Sequence, residues 1–116
     1  MATRTQTLAA VERLHEGFGF RYEDLAQALN TNETTLHRWR SGTGGELTPV
    51  YQKRLEAVEA FLTELDELFA HHRDALAWLD KPLQVLKGRT PRGMILAGHV
   101  DRVTGILYAL NAGVSL

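Results

Sequence analysis

Residues 22–42, with the sequence YEDLAQALNTNETTLHRWRSG, set the fold of this chain because they have the spacing of a helix-turn-helix. Two short helices that cross at a steep angle need apolar residues on the faces that meet. Leu25 and Leu29 lie four positions apart on the first helix, and Leu36 and Trp39 lie three apart on the second. The stretch therefore predicts two helices packed through these four side chains.

The turn and the second helix of this motif indicate nucleic acid as a partner. Asn30 stands where helix-turn-helix proteins most often have Gly, and Asn is the next best residue for a positive φ. Asn32 is expected to cap the second helix, which ends at Ser41-Gly42. Its polar outer face is expected to contact bases and phosphates through Asn32, Glu33, Thr34, His37, Arg38 and Arg40. The alternative is a helical hairpin that only packs, with a solvated outer face.

The composition bounds the remaining possibilities. A chain of 116 residues can bury a core, as one domain or as two small ones that share a core. The absence of cysteine excludes disulfides, thiol catalysis and thiolate metal sites. We find no signal peptide and no apolar run of about 20 residues, the length that a membrane span needs. We therefore expect a cytoplasmic protein without membrane contact.

The charge is distributed unevenly along the chain. The net charge is −1, but residues 55–74 hold one Lys/Arg against six Asp/Glu, and residues 75–116 hold five against two. Residues 1–54, which contain the helix-turn-helix, hold seven Lys/Arg against six Asp/Glu. Because DNA affinity depends on cationic contacts, one copy of the chain is expected to bind DNA weakly. A homodimer or a larger assembly is expected to bind it with the affinity that function needs.

The whole chain is predicted to be all-α. A first helix over residues 7–16 is expected to be stopped by Gly17 and Gly19, and a long central helix begins at the Thr48-Pro49 start signal. The apolar stripe of the central helix predicts either a core helix or a dimer seam; its residues are Tyr51, Leu55, Val58, Leu62, Leu65 and Phe69. Short helices follow over residues 74–79, 82–87 and 91–97, and a last one over residues 99–111.

The second half of the chain resembles the toxin-binding domain of the Xre/MbcA/ParS-type antitoxins. The match covers about the last 45 residues, and in this family a helix-turn-helix typically stands in front, as it does here. The order of residues that carries the resemblance is Trp78-Leu79, Pro82, Leu86, Gly88, Thr90-Pro91, Leu96, Gly98, Val103, Leu107 and Gly113. It implies a DNA-binding head in residues 1–47, a linking or dimerising helix in residues 48–70 and a toxin-binding domain in residues 71–116.

The resemblance also implies the partners and the site. Members of this family neutralise a RES-domain toxin, which degrades or modifies NAD, and repress their own promoter. Their C-terminal end covers the toxin's active-site cleft, which implies that role for Asn111, Gly113, Val114, Ser115 and Leu116. The basic residues Lys81, Lys87, Arg89, Arg92 and Arg102 either pair with an acidic toxin surface or are ordinary solvated charges.

Catalysis by this chain itself is not expected, and neither is a cofactor or a metal. None of the five His residues falls in an HExxH-like arrangement. His71 and His72 are read as favourable charge partners at the C-terminal end of the acidic central helix. The Gly-rich loop over residues 42–45 lacks the Lys of a phosphate-binding loop. Two alternatives to an antitoxin remain: a standalone helix-turn-helix transcription regulator without a toxin partner, and a pure protein-interaction module.

Overall fold

A computed structural model describes the backbone of residues 4–42 and 48–115, and the side chains of residues 8–42 and 48–115. Every regular element in these ranges is helical, so the all-α prediction is confirmed. The helices are α1 (Arg4–Phe18), α2 (Tyr22–Ala28), α3 (Glu33–Ser41), α4 (Pro49–Leu68), α5 (His72–Leu79), α6 (Pro91–Leu96) and α7 (Val100–Asn111), with a 3₁₀ turn at Gln84–Leu86.

The chain divides into two compact units, residues 1–59 and residues 60–116, and the boundary falls inside α4. In the first unit α2 packs against α3; in the second α6 packs against both α5 and α7. The fully buried large side chains of the first unit are Val11, Leu14, Phe18, Phe20, Leu25, Leu36 and Leu55. Those of the second are Phe61, Leu65, Leu79, Ile95 and Leu107. The division into residues 1–47, 48–70 and 71–116 stays a prediction.

Helix α1 is longer than the sequence pattern predicts. It continues through Gly17 to Phe18, and the left-handed residue is Gly19 at φ +77°. The prediction that Gly17 stops the helix was wrong, because Phe18 is 2% exposed and its burial outweighs the modest helical cost of one glycine.

Helix α4 begins as its start signal predicts. Pro49 is its first residue, and the Tyr51 amide donates to the Thr48 hydroxyl oxygen at 3.4 Å. Leu55, Val58, Leu62 and Leu65 of its stripe are buried, and so is Phe61 beside them. These side chains form core, and a dimerising role of this helix stays a prediction.

Two local predictions in the second half were wrong. Residues 82–87 were expected to form a helix, but only Gln84–Leu86 form a 3₁₀ turn, and Lys87 follows it at φ +57°. His71 and His72 were placed at the end of the acidic helix, but α4 ends at Leu68. His71 is the residue before α5, and His72 begins that helix.

Candidate nucleic-acid and protein interfaces

The turn between α2 and α3 adopts the predicted geometry. Asn30 has φ +58°, its amide donates to the carbonyl of Gln27 at 3.0 Å, and the Thr31 amide donates to Ala26 at 2.8 Å. This pair of bonds is a Schellman motif, which ends α2 and redirects the chain into α3. The Asn32 side chain then accepts the Thr35 amide at 2.8 Å and caps α3, as predicted.

The outer face of α3 is exposed as the motif requires. Leu36 and Trp39 are buried, whereas Glu33, Thr34 and Arg38 are exposed. The Asn32 side-chain oxygen accepts the cap bond, and the Nδ2 group of the same side chain is the donor that it offers to DNA. DNA contact by these residues stays a prediction, but the helix presents them on an accessible surface.

Arg40, which the sequence also assigns to DNA, belongs to a side-chain network within the first unit. Its guanidinium pairs with Glu12 of α1 and lies 4.1 Å from the ring centroid of Tyr22. The Tyr22 hydroxyl donates to Glu12 Oε2 at 2.8 Å, and the Tyr22 ring stacks on His15 at 3.8 Å. This Glu12–Arg40 network therefore joins the first, second and third helices around one ion pair.

His37 extends the network along α3. Arg40 Nη1 donates to His37 Nδ1 at 2.8 Å, and since a guanidinium cannot accept, this ring nitrogen carries no proton. His37 Nε2 then carries the proton and faces Glu33 Oε1 at 3.4 Å. His37 and Arg40 are consequently oriented by each other before any ligand arrives.

The charges of this network stabilise each other. Burial by itself raises the pKa of Glu12, but hydrogen bonds from Arg40 and Tyr22 outweigh it and hold that pKa below its ordinary value. The hydrogen bond to Glu12 in turn raises the pKa of Arg40. Burial and the bond to Glu12 raise the pKa of Tyr22, which stays a protonated donor. The network is thus one of a carboxylate, a guanidinium and a phenol.

The C-terminal end of α7 is held by a side chain that the sequence assigns to toxin contact. Asn111 Nδ2 donates to the backbone carbonyl of Glu64 at 3.0 Å and to its carboxylate at 2.9 Å. The amide of Asn111 therefore attaches the end of α7 to α4. Its role within this chain is structural, and a direct contact with a partner stays a prediction.

The chain beyond α7 leaves the helix in a fixed direction. Gly113 has φ +86° and its amide donates to Leu110 at 3.0 Å, while the Val114 amide donates to Ala109 at 2.9 Å. This is again a Schellman motif. Val114 and Ser115 are exposed after it. Leu116, also predicted to enter the toxin's cleft, lies outside the described residues.

The three arginines assigned to toxin contact do not share one environment. Arg92 donates from Nε to the Asp80 carboxylate at 2.7 Å, and its side chain is only 20% exposed. Arg89 and Arg102 instead line one groove of about 360 Å³. Arg89 and Arg102 thus lie together, whereas Arg92 connects α6 with the end of α5.

Some residues at these surfaces were not predicted from the sequence. Glu12 and Tyr22 contact Arg40 across 28 and 18 positions of sequence, a proximity that no local pattern predicts. Tyr108 is 66% exposed and lies off the buried face of α7, which consists of Val103, Ile106 and Leu107. A large aromatic on an exposed helical face is a frequent anchor of protein interfaces.

The described ranges hold no group of three His, Asp or Glu residues that converge in a way that would hold a metal ion. Helices long and apolar enough to cross a membrane are likewise absent from that part of the chain. The Gly-rich loop lies mostly in residues 43–47, outside the described residues.

Comparison with known proteins adds family information. Residues 5–59 match the family model of the antitoxin Xre-like helix-turn-helix domain. The mycobacterial cidal antitoxin MbcA of Mycobacterium bovis is 24% identical over 106 residues, which cover 90% of this chain and 88% of that protein. MbcA from Mycobacterium tuberculosis gives the same values.

The fold is also that of a solved structure. The chain is similar to a chain of the crystal structure of the M. tuberculosis MbcT–MbcA toxin-antitoxin complex, with a TM-score of 0.65 and 24% identity. The similarity covers 100% of both chains. Both units therefore have counterparts in one known all-helical architecture.

Proposed function

We propose that the chain is the antitoxin of a type II toxin-antitoxin system, since residues 5–59 match the antitoxin Xre-like helix-turn-helix domain. The observation that carries the proposal is the likeness to MbcA over 90% of the chain, which includes the half that the helix-turn-helix model does not match. The M. tuberculosis MbcA structure is a complex with MbcT, which favours a toxin as the partner of this chain too.

The proposed target is a RES-domain toxin that consumes NAD. A blocking segment must be short, ordered and accessible, because a rigid segment loses little entropy when it enters a cleft. The segment after α7 is ordered and accessible: the Schellman motif at Gly113 fixes its direction, and Val114 is 49% exposed. We propose that residues 111–116 cover the toxin's active-site cleft.

The proposed second activity is repression of the chain's own operon. The capped, exposed α3 is suited to enter a DNA major groove. Arg40 is engaged with Glu12, so fewer cations face the DNA than the sequence suggests. This supports binding as a homodimer or as a larger assembly with the toxin, since each head contributes few phosphate contacts. An operator-binding protein of this kind acts in the cytoplasm.

Nothing in the matched family or in the described residues favours an enzyme. The family is one of antitoxins, and the strongest group of titratable residues is the Glu12–Arg40 network, whose members satisfy one another. The second candidate function, a transcription regulator without a toxin, is favoured only by the helix-turn-helix itself and leaves the exposed end of α7 without a role.

Co-expression with a RES-domain toxin encoded beside this chain tests the proposal. Cells that express the toxin alone should stop growing, and expression of this chain should restore growth and yield a complex that co-purifies. A chain variant with α3 intact but lacking residues 60–116 would retain no protection. Absence of protection and of any complex by the full chain would favour the regulator.

A further inference from the structure

The groove that contains Arg89 and Arg102 is distinct from the C-terminal tail. It lies in the second unit and has a volume of about 360 Å³; its lining residues are Val85, Leu86, Lys87, Arg89, Met94 and Arg102. Leu86 and Met94 are buried and form an apolar floor. Three cationic side chains surround that floor.

The turn after the 3₁₀ segment builds this groove rigidly. The Lys87 amide donates to Gln84 at 2.9 Å, the Gly88 amide donates to Leu83 at 2.9 Å, and the Leu83 amide donates to Arg89 at 3.1 Å. Lys87 itself adopts a left-handed φ of +57°, a backbone conformation that Gly, Asn and Asp tolerate better than other residues do. The backbone thus directs Lys87 and Arg89 to one side.

Two of the three cations are uncompensated. Within residues 8–42 and 48–115, no carboxylate lies at ion-pair distance from Lys87 or Arg89. Arg102 donates from Nη2 to the backbone carbonyl of Val85 at 3.3 Å, which holds it at the rim. Elsewhere in this unit Arg92 is neutralised by Asp80. The groove is therefore a local concentration of positive charge in a chain whose net charge is −1.

We propose that this groove binds a short acidic segment of the toxin that also carries an apolar side chain; the inference rests on the proposed function. The cationic rim complements carboxylates, and the floor of Leu86 and Met94 buries a hydrophobic residue. A nucleic-acid phosphate would use the rim but not the apolar floor, and the helix-turn-helix family match ends at residue 59, before this groove.

The groove and the tail lie at opposite ends of one helix. Arg102 is in the first turn of α7, and Asn111 is its last residue. Nine residues at a rise of 1.5 Å separate them by about 14 Å. The toxin therefore contacts the chain at both ends of α7. The groove contributes affinity and electrostatic attraction, and the tail inhibits the toxin.

A charge-neutral variant tests the groove. Lys87→Asn together with Arg89→Gln removes two charges, and Asn tolerates the left-handed backbone at position 87. The control is Lys53→Gln with Arg73→Gln, which removes two charges from exposed positions outside the groove. Thermal unfolding of both variants checks that they fold. Toxin affinity is then measured at several salt concentrations.

We expect the groove variant to bind the toxin about tenfold more weakly at low salt, with a flatter salt dependence, and the control to bind as the wild type does. Saturating concentrations of the groove variant should still inhibit the toxin fully. Equal affinity and equal salt dependence of all three proteins would overturn the inference. So would a groove variant that changes only the self-association of the free chain, because the occupant would then be a second copy.

Failure of the proposed function gives a different result. In that case the wild-type chain itself forms no complex with the toxin at any salt concentration. A wild-type complex that the groove variant leaves unchanged contradicts only the groove inference.

Discussion

Asn111 and Glu64 are joined by two hydrogen bonds from one amide group, at 3.0 Å to the backbone carbonyl and 2.9 Å to the carboxylate. The pair is 47 residues apart in sequence and attaches the end of α7 to α4. Because the chain end begins two residues later, this contact positions the segment that is proposed to block the toxin.

Removal of this contact should loosen the end of α7. Asn111→Ala loses both bonds and should lower Tm by about 8 °C, since such bonds are worth about 1 kcal/mol each. Asn111→Asp should lower it further, because its carboxylate would face that of Glu64. Calorimetry measures both. Equal stability of Asn111→Asp and the wild type would show that the contact does not hold the helix.

Gly113 gives the chain end its direction. Gly113→Ala places a Cβ at φ +86° and should cost about 1 kcal/mol and reduce toxin inhibition. Gly105→Ala, inside the same helix, is the matched control: it meets nothing within 4 Å and should stabilise α7 by about 1 kcal/mol. Urea unfolding and inhibition assays compare the two. Undiminished inhibition by Gly113→Ala would mean that the direction of the tail is unimportant.

The Glu12–Arg40 ion pair should make the first unit sensitive to acid. The pKa of Glu12 is lowered in the folded chain, so its stabilising contribution is fully present above the unfolded value of about 4.3 and is lost as pH falls through the folded value. Glu12→Gln should therefore lower the free energy of unfolding at pH 7. The difference in this free energy between the variant and the wild type should shrink as the pH falls toward 3. Exposed Glu67→Gln is the control. A pH-independent difference between Glu12→Gln and the wild type would refute this assignment.

Arg38 and Arg40 should differ in their effects on operator binding. Arg38→Ala should weaken binding and reduce the salt slope by about 1, the amount expected for one phosphate contact. Arg40→Ala should also lower Tm, because it breaks the contact with Glu12. Fluorescence anisotropy against salt concentration, beside thermal unfolding, separates the two roles. Unchanged operator binding in both variants would place the DNA surface outside α3.

Local signals predicted much of this fold. The turn at Asn30, the cap at Asn32 and the Thr48-Pro49 start each act within a few residues, and the structure has all three. The segment after Pro82 was harder to predict, because Leu83 and Arg89 pair their backbone groups across a turn rather than along a helix. The carbonyl of Val85 accepts from the side chain of Arg102, 17 positions away.

The sites were less predictable for the same reason. That Arg40 pairs with Glu12, that Asn111 bonds to Glu64 and that Arg92 pairs with Asp80 follow from contacts between distant parts of the chain. Residue type and helical phase identified these side chains as polar and outward-facing. They did not distinguish a side chain reserved for a partner from one already bound within the chain.

The consumption of NAD by the purified toxin tests the central claim most directly. It is measured with increasing amounts of the full chain and of a chain that lacks residues 114–116. The full chain should abolish NAD consumption at a fixed stoichiometry. The shortened chain should fold and bind the toxin, but most of the NAD consumption should continue in its presence. Continued NAD consumption in the presence of saturating full chain would contradict the account.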